Sequence, residues 1–166
     1  MKAFKLIILL LLPLSVFAQD TGLVKRQANG VAKALLNNDF KTVIAGTYPK
    51  AVEIAGGKEK LLNMMAAGMS QMKAQGFSFQ KVTIGSPGKF YKAGTEIHCL
   101  LPETIIMKTS RGLMSAKSNL LAISGDKGKS WTFMDLNQRA ISSIKTLFPN
   151  FNKNLVIPQP TLPVML

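Results

Sequence analysis

An α+β domain, with helices packed on one face of a curved antiparallel sheet, is the fold class this sequence predicts. Three observations carry that reading. Up to Gln75 the apolar residues recur at helical spacing, and from Phe77 onward they alternate. Glycine-containing turns at 85–88, 111–112 and 125–128 separate the alternating runs, as in an antiparallel meander. Helices first and strands second, within the length of one domain, point away from an alternating βαβ architecture.

Residues 1–18 read as a targeting segment ahead of that domain. Lys2 and Lys5 make a basic start, Leu6 to Leu14 an apolar run broken only by Pro13, and Val16-Phe17-Ala18 a cleavage pattern. The run is shorter than the about 20 apolar residues that span a bilayer. Cleavage after Ala18 predicts an exported protein, periplasmic or secreted, with a domain over 19–148 and a tail over 149–166. No later stretch is apolar enough for a transmembrane segment.

Val24, Ala28, Val31 and Leu35 share one face of a helix expected over 21–37. Asp39 is placed to cap a short second helix carrying Phe40, Val43 and Ile44. Pro49 suits the first position of a third, over 49–55, and Gly56-Gly57 ends it. The longest helix is expected over 58–75, with Leu61, Leu62, Met65, Met69 and Met72 as its core-facing stripe. Strands follow over 77–84, over 95–101 and past a kink at Pro102 to 109, then over 113–124 and 130–136, with a short piece at 89–91. One final helix, 138–148, turns Ile141, Ile144 and Phe148 inward before Pro149. Pro158, Pro160 and Pro163 keep the tail extended.

The chain carries 21 Lys and Arg against 8 Asp and Glu, a formal +13. That balance favours an anionic surface or protein partner. The positive residues are dispersed and not interleaved with aromatics, so nucleic acid is not expected. Cys99 is the only cysteine and cannot form an intramolecular disulfide.

Adjacent strand residues point to opposite faces, so His98 and Cys99 cannot act as a nucleophile–base pair. Cys99 falls with Ile97 and Leu101 on the apolar face; His98 turns to solvent or a neighbour. One His, one Cys and scattered carboxylates show no metal-ligand spacing, and no cofactor is expected. Gly125-Asp-Lys-Gly-Lys-Ser130 has two residues where a phosphate-binding loop needs four, and a strand follows it; it reads as a hairpin. Trp131, Phe133 and Asp135 share a strand face, which sets a carboxylate beside two rings. In an apolar cavity Asp135 would have a raised pKa and suit proton transfer; at a strand end it would instead cap the turn or pair with a lysine. Tyr48 reaches either the mouth of a pocket or the core.

The run Thr47-Tyr-Pro-Lys-Ala-Val-Glu-Ile-Ala-Gly-Gly-Lys-Glu-Lys-Leu61, the meander and Gly128-Lys-Ser-Trp-Thr-Phe-Met-Asp135 resemble small exported bacterial proteins of the NTF2-like superfamily. The resemblance covers most of 22–148 and implies a cone with a pocket between helices and concave sheet. It implies an exported, non-catalytic binding or accessory module with a small apolar ligand, contacted by Tyr48, Trp131, Phe133 and Asp135. Two alternatives stand beside it. One is a cofactor-independent isomerase or lyase using Asp135; the other is an assembly module, such as a homodimer, formed through the sheet face. Fold alone does not choose among them.

Overall fold

A computed structural model describes residues 20–166, so the expected targeting segment lies outside the described residues. Four helices come first: α1 (Thr21–Leu36), α2 (Phe40–Ala45), α3 (Pro49–Ile54) and α4 (Lys58–Ala74). Five strands follow: β1 (Ser78–Ile84), β2 (Tyr91–Ala93), β3 (Glu96–Thr109), β4 (Gly112–Ser124) and β5 (Thr132–Asp135). After them come α5 (Gln138–Ser142), α6 (Ile144–Leu147) and a two-residue strand β6 (Val164–Met165). The strands make one curled antiparallel half-barrel in the order β1-β3-β4-β5, with β2 on β3 and β6 on β4. The α+β class is therefore as expected.

Local chemistry explains the helix boundaries. Asp20 accepts from the Leu23 amide at 3.0 Å to start α1, and Asp39 accepts from the Thr42 amide and hydroxyl to start α2. Pro49 opens α3, and Gly56 and Gly57, at φ of 95° and 92°, turn the chain into α4. On α1 the fully covered residues are Val24, Ala28, Ala32 and Ala34, while Val31 and Leu35 stay half-buried. The buried face is thus rotated from the expected stripe towards alanines, whose small side chains let a helix axis approach its neighbours.

Pro102 does not break β3, which runs unbroken through it with Pro102 opposite Asn119 of β4. On a strand the N and the carbonyl of one residue point to the same side. The Pro102 carbonyl accepts from Gly85 at 2.7 Å, where the outer edge of β3 passes from β1 to β2. The missing N–H therefore faces an interruption in the neighbouring strand and costs no bond to β4.

Both faces of the sheet carry a core. On the first, Val24, Ala28 and Ala32 of α1 pack with Ile84, Cys99, Leu101, Leu120, Ala122, Trp131 and Phe133. On the second, Leu121, Ile123 and Met134 pack with Tyr48, Ile144, Leu147, Phe148 and Leu155. Each fully buried side chain of Leu or Val size contributes about 1.5–3 kcal/mol. The one expected C-terminal helix is two short ones, meeting at Ser143. The tail is extended in part, but Leu155 is buried in the second core and Val164–Met165 pairs with Ser115 and Met114.

The long helix α4 departs from expectation. Leu61, Leu62, Met65, Met69 and Met72 do lie on one side, yet all are half-buried and the helix has no buried residue. It packs chiefly on α2 and α3, the outer rim of the helical layer.

The β4–β5 hairpin is held by one carboxylate. Asp126 accepts from the hydroxyls of Ser124 and Ser130 and the amides of Lys129 and Ser130, at 2.6–3.0 Å. These bonds, led by Ser130, hold its pKa down to about 2. A depressed folded pKa gives stability that is present above 3.8 and lost as pH falls through about 2. Asp126→Ala is expected to lower the melting temperature at neutral pH. Thermal melts across an acid series should show the gap from wild type closing towards pH 2; a constant gap would refute the carboxylate's role.

Candidate functional site

Chemically active side chains gather on both faces of the sheet. On the second face, Tyr48, Glu96 and His98 form a chain of hydrogen bonds. The Tyr48 hydroxyl donates to Glu96 Oε1 at 3.0 Å, and His98 Nε2 lies 3.0 Å from Glu96 Oε2. His98 is fully buried, edge-on to Phe148 at 5.0 Å between centroids and tilted against Phe151. Among the described residues its Nδ1 has no partner. Burial pushes the His98 pKa below its ordinary value, against the opposing pull of Glu96. A neutral imidazole donating from Nε2 leaves only a lone pair at Nδ1, which an apolar neighbour tolerates better than an N–H. Of the two directions open to His98, the structure selects a neighbour over solvent. Burial likewise raises the Tyr48 hydroxyl pKa, reinforced by the Glu96 bond.

Tyr48 therefore lies on the face opposite the other expected ligand contacts. Trp131 and Phe133 belong to the first core, 5% and 4% exposed. The Trp131 indole N–H donates to the Gly128 carbonyl, and its amide donates to Gln27 of α1 at 2.9 Å. These bonds tie the hairpin to α1 and occupy the polar atoms of Trp131. Asp135 extends the same face at the exposed end of β5, with Asn137 Nδ2 3.4 Å from its carboxylate. Desolvation raises its pKa, opposed by its polar neighbours Ser118 and Asn137.

Sequence reasoning missed Glu103. It is 7% exposed on β3 and accepts from the Ser118 hydroxyl of β4 at 3.0 Å. Burial, aided by the charge of Asp135, pushes its carboxyl up to about 7. The signal was present as a period of two: Cys99, Leu101 and Glu103 follow one another on the apolar face. Reading Pro102 as a kink stopped that count one residue early. The charge of Asp135 on β5 acts on Glu103 of β3 across the intervening strand β4, which carries Ser118. Cys99, on the same face, is fully buried, with its thiol pushed up to about 12 by burial, where a thiol is an inert core group.

Among the described residues no three of His, Cys, Asp and Glu gather as a metal site, and no helix is long and apolar enough to cross a membrane. A groove of about 330 Å³ lies between α2 and α4, lined by Lys41, Ile44 and Ala45 on one side and Lys58, Glu59 and Leu62 on the other. A broader hollow of about 540 Å³ lies along Gly56, Glu59, Lys60, Asn63, Met64 and Ala67. Its lining comes from one face of α4 and the preceding turn, so it lacks a second wall. Neither is lined by Glu103, Ser118 or Asp135.

No protein-family model matches the chain, and a search of curated proteins finds no match. The site must be read from its own chemistry. The buried Glu103 carboxyl, raised to about 7, can change charge near neutral pH, the Tyr48–Glu96–His98 chain can brace the C-terminal segment, and the α2–α4 groove can hold a small molecule.

Proposed function

We propose that this protein is an exported, NTF2-like binding module that holds a small molecule in the groove between α2 and α4 and performs no chemistry on it. The groove carries the reading. Its volume of about 330 Å³ falls at the lower end of the range for small-molecule sites, which are mostly apolar with few polar groups. Ile44, buried beneath it, and half-buried Leu62 supply an apolar floor. The curled antiparallel sheet with its helical layer supports the superfamily reading.

Catalysis by Asp135 has less support. Its aromatic neighbours Trp131 and Phe133 are core residues, and its carboxylate stands at an exposed strand end.

Leu62→Glu tests the groove. An uncharged hydrophobic fluorophore is expected to bind the wild type and to lose at least tenfold in affinity for the variant, with circular dichroism below its melting temperature checking that the variant is folded. Equal binding by both proteins would place the binding site elsewhere.

A further inference from the structure

The groove's lining also carries information about its ligand. We propose, resting on the binding reading above, that the groove takes an aliphatic carboxylate, with the alkyl chain on Ile44, Ala45 and Leu62 and the headgroup between Lys41 and Lys58.

Three features of the lining point to that chemistry. The first is charge. Lys41 of α2 and Lys58 of α4 both line the groove, with Glu59 as the single acid of the lining. The ion pairs among the described residues are Arg26–Asp20 and His98–Glu96, so neither lysine is engaged in one. Asp39 acts on Lys41 from outside the lining, its carboxylate engaged by the Thr42 amide and hydroxyl; the lining itself holds two cations and one anion, a balance that complements a monoanion better than a dianionic phosphate. The uncapped start of α4 adds to the positive potential: Gly57 brings no side-chain acceptor to the first-turn amides, and Lys58 and Glu59 follow it directly.

The second feature is the floor. Ile44, Ala45 and Leu62 are aliphatic, and among the described residues no aromatic ring lines the groove. A flat ring system would find no stacking partner here, whereas an alkyl chain packs on branched and small aliphatic side chains without one. The lysine stems extend the same apolar surface while their ammonium groups stay in water. The third is what the lining lacks. Among the described residues it contains no hydroxyl or amide side chain to recognise a polar substituent along the chain. Affinity is set by chain burial and by one charged end.

The test compares three ligands with the same alkyl chain: decanoate, decanol and decyltrimethylammonium, each titrated calorimetrically into the protein below its micelle concentration. Decanoate is expected to bind at least tenfold more tightly than decanol, and decyltrimethylammonium more weakly than either. The double variant Lys41→Met/Lys58→Met, which keeps an apolar stem at each position, should lose about tenfold more affinity for decanoate than for decanol; both lysines are exposed, so the fold is not at stake. Raised salt should weaken decanoate alone. Equal affinity for decanoate and decanol, or a double variant that binds decanoate like the wild type, overturns the carboxylate assignment while leaving the groove as a site. Failure of all three ligands to bind overturns the binding reading itself.

Discussion

Replacing Glu103 by glutamine is expected to stabilise the protein in mildly alkaline solution and to leave it unchanged in acid. Glu103 is 7% exposed and has its pKa raised from 4.5 to about 7. A group whose folded pKa is raised contributes stability that is complete below its unfolded value, here 4.5, and is lost as pH rises through about 7. Above that point the protein carries an ionised, buried carboxylate close to the charge of Asp135. The shift corresponds to an upper limit of roughly 3 kcal/mol. Glutamine keeps an oxygen to accept from Ser118 and presents an amide instead of a second negative charge. Thermal melts should show a gain of several degrees at alkaline pH, on the scale of about 2–4 °C per kcal/mol, shrinking to nothing below pH 4.5. A gain of the same size at every pH would mean that packing, not charge, is responsible; a loss at every pH would mean that the carboxylate is needed.

Tyr48→Ala should be among the most damaging single changes in the molecule. Tyr48 is 4% exposed, stacks on Phe148 with centroids 4.8 Å apart, and donates to Glu96. Removing a buried ring costs about 3–5 kcal/mol. Tyr48→Phe keeps the stack and removes only the hydroxyl; since Glu96 retains some solvent contact, the cost should be about 1 kcal/mol. Denaturant unfolding of both variants, with the slope unchanged, checks the pair. Equal losses would assign the whole effect to the Glu96 bond and none to the ring, contrary to the packing seen.

Much of the fold can be read from local chemistry. Asp39 as a cap, Pro49 at a helix start, Gly56-Gly57 as a break and the change of period near residue 77 all act through neighbours in sequence. The opposite orientation of His98 and Cys99 follows from the pleat alone. What could not be read depends on distant partners. Tyr48 lies just before α3, at its N-cap, and nothing nearby says on which side of the sheet it will fall; Phe148, a hundred residues later, decides that. The α4 stripe predicts a helix correctly but not how much of it is covered, because coverage depends on α2 and α3. Glu103 was hidden by a proline whose missing donor proves harmless only once the interruption between β1 and β2 is seen. The α2–α4 groove arises between two helices and leaves no linear motif.

The parallel bridge between Thr47 and Phe133 has a bearing on how the chain comes together. The Gly46 carbonyl accepts from the Phe133 amide at 2.7 Å, and the Tyr48 amide donates to the Phe133 carbonyl at 3.0 Å. The segment between α2 and α3 is thereby stitched to the last strand of the meander. Nothing synthesised before residue 133 can complete this closure, so the helical layer is fixed to that strand only once most of the chain exists. Such distant pairings raise the contact order and slow folding. They also make the helical and sheet portions inseparable: neither half holds the partner that ends its own backbone ladder.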